Sequence, residues 1–292
     1  MPLYASLMLS LMLGSLLLYL LLLWYGKCRR QGNLTLFRTP AREGTFIFNA
    51  PFPQPLDVVY PLVFLSFFIL ISALPLLQSG AAHPAPAPTE NGGARMDILM
   101  LGLTLTVQLA VYLPMVLRYI MLPSLAGEGR RGFLWGLLRI LIGLVGVMVP
   151  AMLIEHSGLY EWLAEYTGCP LHQEVVTALT PFRNTAEQYM LIGAAVLMAP
   201  VCEEVFFRGF LYNLLRKYGC GVLLSALSVG LLFGAVHTSL AQMLPLTIFG
   251  VVQCLIYEKS RTLWVPVGVH AVFNSLSVLA ILLAEYVEQF SI

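Results

Sequence analysis

Apolar positions in this chain come in long unbroken runs instead of at the 3.6- or 2-residue spacing of a half-buried helix or strand. The first, Leu3 to Tyr25, is rich in leucine and carries no charge. Further runs follow at about 58–78, 97–121, 133–154, 188–215, 222–239, 241–257 and 262–284. Crossing the hydrocarbon core of a bilayer takes about 20 mostly apolar residues. The pattern predicts an all-α, polytopic membrane protein with about eight transmembrane helices. The stretch 222–257 reads either as two short spans or as one helix and a re-entrant segment.

The polar intervals set the expected topology. Lys27, Arg29 and Arg30 follow the first run directly, whereas a cleaved signal peptide carries its positive charge ahead of the apolar stretch. The run is therefore expected to be a retained helix. Gln31 to Asp57 is polar and Pro-bearing and fits a cytoplasmic loop. Ala81 to Arg95 is a Pro/Gly/Ala-rich connector, and Glu155 to Glu187 reads as a long extracytoplasmic loop. With the N-terminus outside, the cytoplasmic loops hold 11 of the 16 basic residues. The outside loops then hold only Arg95 and Arg183, as the positive-inside rule requires. The expected location is the plasma membrane. Three regions result: 1–57, an N-terminal helix with a cytoplasmic loop; 58–187, accessory spans and an outside loop; and 188–292, a helical core.

Composition agrees. Apolar residues make up 59% of the 292, against about 45–50% in soluble domains, and mean hydropathy is +0.82. Charged residues are 11%, where soluble domains carry about 25%. This excludes a disordered chain, a disulfide scaffold and an ordinary soluble domain. A net charge of +1 offers no field for nucleic acid. Cys28, Cys169, Cys202, Cys220 and Cys254 form no CxxC and no metal spacing, and read as isolated thiols. Trp24, Trp135, Trp162 and Trp264 fall near span ends, where an interfacial belt places them. Arg118 and Arg139 read as snorkelling side chains.

One run breaks the pattern. The fifth contains Ala199-Pro200-Val201-Cys202-Glu203-Glu204-Val205-Phe206-Phe207-Arg208-Gly209. Each charge at the centre of a membrane helix costs about 2.5–3.5 kcal/mol on insertion scales. Glu204 and Arg208 are four apart and can pair on one face. Glu203 lies about 100° around the helix and has no partner in its own span. A structural ion pair thus accounts for two of the three charges. Two other runs add polar groups: Phe233-xxx-His237, and His270-xxx-Asn274, whose members share a face. Gly230 and Gly234 form a GxxxG step beside His237 that permits close helix approach.

These groups suit hydrolysis. A carboxylate in a membrane cavity can act as a general base on water, a role for Glu203 with His237 positioning the water. His270 and Asn274 are donors of the kind that stabilise an oxyanion. The sibling reading is a zinc site built from Glu203, His237 and His270 with one position open for water; spacing alone decides neither way, and the expected cofactor is none. Cys202 sits beside Glu203, but no His stands at a thiol-protease spacing. Depth poses a condition. At a 1.5 Å rise, Glu203 lies ~18 Å from residue 215, His237 ~22 Å from residue 222, and His270 only ~10 Å beyond residue 263. A shared site requires tilts, kinks or later helix starts, for which Pro200 and the glycines provide means.

Glu203-Glu204-xxx-Arg208, Phe233-xxx-His237 and His270-xxx-Asn274, in this order, resemble the three motifs of the CAAX-protease and bacteriocin-processing (CPBP) family, which includes the type II CAAX prenyl endopeptidases. The resemblance covers about 188–284. It implies an intramembrane endopeptidase with its catalytic bundle in the C-terminal half, acting on a membrane-associated peptide or protein segment. It further implies that Glu203 and His237 activate water, that His270 and Asn274 form the oxyanion site, and that Glu204 and Arg208 hold the arrangement. Prenylated substrates belong to eukaryotic members. Two other classes stay open: a membrane scaffold or bacteriocin-immunity protein, and a transporter whose buried charges mark an ion path.

Overall fold

The computed structural model describes residues 3–30, 130–169, 179, 185–237, 239–260 and 262–290. The spans expected at about 58–78 and 97–121 lie outside the described residues. Among the described residues every regular element is helical. Among those residues five helices are long and apolar enough to cross a membrane: Ala5–Cys28, Trp135–Glu155, Gln188–Lys217, Leu240–Ser260 and Trp264–Ala284. The chain is an integral membrane protein.

Helix α1, Leu3–Arg30, lies against the foot of the bundle. There the Tyr19 hydroxyl donates to the Leu211 carbonyl at 3.1 Å and Cys220 Sγ to that of Leu22 at 3.4 Å. Helix α2, Arg130–Glu155, forms the opposite flank. A short helix α3, Leu159–Thr167, lies within the stretch whose sequence reads as loop. Glycines at both of its ends, Gly158 (φ 71°) and Gly168 (φ 69°), take left-handed conformations that stop it after nine residues. Trp162 and Tyr166, four apart, stack at 5.6 Å.

Helix α4 is continuous but not uniform. It is α-helical over Ala186–Gly193, Ala199–Glu204 and Asn213–Lys217, and π-helical over Ala194–Met198 and Val205–Tyr212. Pro200 lacks an N–H to close the preceding turn, and that turn is the first widened one. The paired glutamates stand in the short α-helical piece between the two widenings. Every residue from Val205 to Tyr212 is buried, so this half of α4 is the centre of the bundle, away from lipid.

Helix α5, Val222–Val236, packs antiparallel to α6, Leu240–Ser260. The region 222–257 is therefore two helices. At 15 residues, or about 22 Å, α5 is shorter than the hydrocarbon core. The two backbones touch. A Cβ at Gly230 would lie 2.8 Å from the Thr247 carbonyl, and one at Gly234 2.6 Å from that of Met243. This is the close approach that the GxxxG spacing predicts.

Helix α7, Trp264–Phe290, meets the depth condition through its starting height. The turn before it is not at the end of the bundle. Leu263 is buried and packs on Gly209, whose added Cβ would stand 3.3 Å from Leu263 Cδ1. Gly209 is six residues, about 9 Å, below Glu203, and His270 is seven residues, about 10 Å, above Leu263. The two side chains thus reach one level. His237, at the C-terminal end of α5, comes up beside them. Trp24, Trp135, Trp162 and Trp264 are all exposed, as an interfacial belt requires, and the five cysteines are free thiols. Arg139 is exposed; Arg118 lies outside the described residues.

Candidate active site

The site is built on a charge that α4 buries completely. Glu204 and Arg208 have no solvent-accessible surface, and Arg208 Nη1 donates to Glu204 Oε1 at 3.0 Å. Two charges taken out of water need more than each other, and the neighbouring helices supply the rest. Arg208 Nη2 donates to the Gly250 carbonyl on α6 at 3.1 Å. The guanidinium carbon stands 4.8 Å from the centre of the Phe233 ring, within cation–π range. Glu204 Oε1 also receives His270 Nδ1 at 2.8 Å and, more weakly, Gln253 Nε2 at 3.4 Å. One carboxylate oxygen thus ties α4 to α6 and α7.

That hydrogen bond fixes the ring of His270. An oxygen already accepting from Arg208 acts as an acceptor, so His270 Nδ1 carries the proton and donates. Nε2 then faces the other glutamate: it lies 3.9 Å from Glu203 Oε2. His237 follows the same logic. Its Nδ1 is 2.7 Å from the Phe233 carbonyl, which can only accept, so Nδ1 donates. Its Nε2 also lies 3.9 Å from Glu203 Oε2. Both imidazoles are anchored through one nitrogen and turn the other toward a single carboxylate oxygen. That oxygen is buried and makes no hydrogen bond among the described residues.

Aromatic rings wall the cluster. Phe233 sits 4.6 Å from the His237 ring, and Phe249 4.8 Å from the His270 ring and 5.1 Å from Phe273. The Glu203 and His237 side chains keep 17% and 21% of their surface accessible, against 5% for His270. The site is therefore approached from the Glu203–His237 side. Asn274 Nδ2 donates to the Ala195 carbonyl at 2.8 Å, in the first π-helical segment of α4. An amide nitrogen carries two protons, so one donor remains.

Of the six residues singled out by sequence, Glu203, Glu204, Arg208, His237 and His270 are joined by hydrogen bonds or short N···O distances, and Asn274 braces the same helix. Two partners are new. The Gly250 carbonyl had no signal beyond a Phe-Gly pair. Gln253 did have one: an amide in the middle of an apolar helix, which seldom survives there without an interhelical partner.

Residues 185–276 match the family model described as "Type II CAAX prenyl endopeptidase Rce1-like". The chain is also 28% identical over 106 residues to a Bacillus subtilis (strain 168) protein named "Putative membrane peptidase YdiL"; the match takes in 34% of this chain and 41% of that protein. The chain thus spans less than half the length of the curated relative it matches. No solved structure gives a significant match. All six motif residues fall inside the matched segment, so the part of the chain that is similar to this family is the part that builds the site.

Proposed function

We propose that the chain is an intramembrane endopeptidase in which Glu203 activates water against a peptide bond of a membrane-associated substrate. One observation carries the reading: Glu203 Oε2 stands 3.9 Å from Nε2 of both His237 and His270. The gap is too long for a direct hydrogen bond. A water about 2.8 Å from both ends spans it, donating one proton to the carboxylate and one to His237 Nε2. Both of its protons are then held, and its lone pairs point at what enters.

In the reaction, the water oxygen bonds to the peptide carbonyl carbon as Glu203 takes its proton, and the carbonyl becomes an oxyanion. Collapse of the tetrahedral intermediate breaks the C–N bond, and Glu203 returns the proton to the leaving amine. His270 donates to the oxyanion from Nε2. With Nδ1 committed to Glu204, this requires the doubly protonated ring, held between two carboxylates. Asn274 adds its second N–H. The proposal locates the chain in the plasma membrane, and the 11-to-2 asymmetry of basic residues supports an N-terminus on the outside.

The second reading is a zinc ion on Glu203, His237 and His270. It is favoured by the anchoring of both rings through Nδ1, which is how ligating histidines are usually oriented. Ligands at 2.0–2.1 Å from a tetrahedral zinc lie about 3.3 Å apart, closer than the 3.9 Å seen. Water fits with less movement.

The test is cleavage of a membrane-tethered peptide library by wild type and Glu203→Gln, with and without a strong chelator. Activity should fall by about 10²–10⁴-fold in the variant and be indifferent to chelator. Loss on chelation would transfer the proposal to zinc, and full activity of Glu203→Gln would end it.

A further inference from the structure

Gln253 is a fully buried amide in the middle of α6, and none of the three motifs includes it. Its Nε2 donates in two directions. One proton goes to Glu204 Oε1 at 3.4 Å, the other to the Pro266 carbonyl at 2.9 Å. Pro266 lies in the first turn of α7, one turn before His270. The amide therefore spans from the carboxylate that anchors His270 to the piece of helix that carries His270.

We infer that Gln253 is a positioning residue: it fixes the height of α7 against Glu204 and so holds His270 Nδ1 on Oε1. The inference rests on the peptidase reading for its kinetic consequence. The balance of the side chain itself argues against simple packing. Its Oε1 is buried with no hydrogen-bond partner, a penalty that a leucine or methionine would not incur. What the amide supplies in exchange is two donors at the two points that set His270. Without them the His270–Glu204 and Asn274–Ala195 hydrogen bonds are left to tie α7 to α4, and α7 can shift along it by up to about an ångström. A displacement near 1 Å is worth up to about 10²-fold in rate.

Gln253→Met removes both donors at similar volume in an apolar helix. In membranes of defined lipid, kcat should fall by between about 10- and 100-fold, with KM within about twofold and thermal stability within a few degrees. Gln253→Glu keeps the shape but faces Glu204 with oxygens, and should be the poorer enzyme. A Gln253→Met enzyme of wild-type kcat would overturn the inference, as would parallel losses of kcat and stability, which mark packing only. A second readout does not need turnover. In ¹⁵N-histidine-labelled protein, the wild-type His270 Nδ1 proton should exchange slowly, and in Gln253→Met it should exchange quickly. Fast exchange in the variant with an inactive wild type would refute the peptidase reading and leave the positioning role standing. Equal exchange in both would refute the positioning role.

Discussion

Removing Arg208 alone should be worse than removing it together with the charge it faces. In Arg208→Met the α4 helix keeps its apolar volume, but Glu204 stays fully buried with its 3.0 Å partner gone. The His270 and Gln253 donors remain on Oε1, and the Gly250 carbonyl, in the middle of α6, loses its side-chain donor and keeps its place in the helix ladder. Breaking a buried pair from one side is worth about 3–5 kcal/mol. With the surviving donors on Oε1 the loss should fall inside that range, at about 4 kcal/mol. In Glu204→Gln/Arg208→Met no charge is left to desolvate, and most of the loss should return, to within about 1–2 kcal/mol of wild type. The assay is equilibrium unfolding in mixed micelles, with peptide cleavage measured on the same samples. The double variant should be inactive, because it no longer presents a carboxylate to His270. Arg208→Met as stable as wild type, or a double variant no more stable than the single one, would refute the electrostatic account of this pair.

Two further outcomes are expected from the packing and from the proposed oxyanion site. Gly230→Ala forces a Cβ to 2.8 Å from the Thr247 carbonyl and should cost about 1–3 kcal/mol by overpacking. Gly193→Ala, with nothing within 4 Å, should be neutral or stabilising by up to about 1 kcal/mol; the same micelle unfolding assay compares them, and equal effects would contradict the α5–α6 contact. Asn274→Leu removes the donor to Ala195 and the spare N–H together. It should lower kcat by about 10²–10³-fold, while Asn274→Gln, which retains both functions on a longer arm, should recover part of the loss; unchanged kcat in Asn274→Leu would remove Asn274 from the site.

Much of this molecule was legible as composition and order. Runs of apolar residues announce membrane helices because the hydrocarbon core tolerates little else. The same intolerance makes Glu203, Glu204 and Arg208 conspicuous, since a charge placed at such expense needs a reason. Spacing four apart told that Glu204 and Arg208 could pair and that Gly230 and Gly234 could admit a neighbour, and both contacts are present. These are local properties of one helix, and a linear pattern contains them.

What depends on the relation between helices was not in the pattern. No spacing rule relates Glu204 to His270, 66 residues apart, or brings Gln253 to both Glu204 and Pro266. The common level of Glu203 and His270 follows from where α7 begins, against Gly209, and a residue count from the span ends misses it. The short helix Leu159–Thr167 was invisible for a similar reason: its polar residues read as loop, and its glycine stops act only through backbone angles. The sequence by itself determined which groups enter the membrane and which of them share a helical face. The tertiary structure alone decided which nitrogen of each histidine is anchored and which faces Glu203, because hydrogen bonds between helices, not periodicity within them, set those orientations.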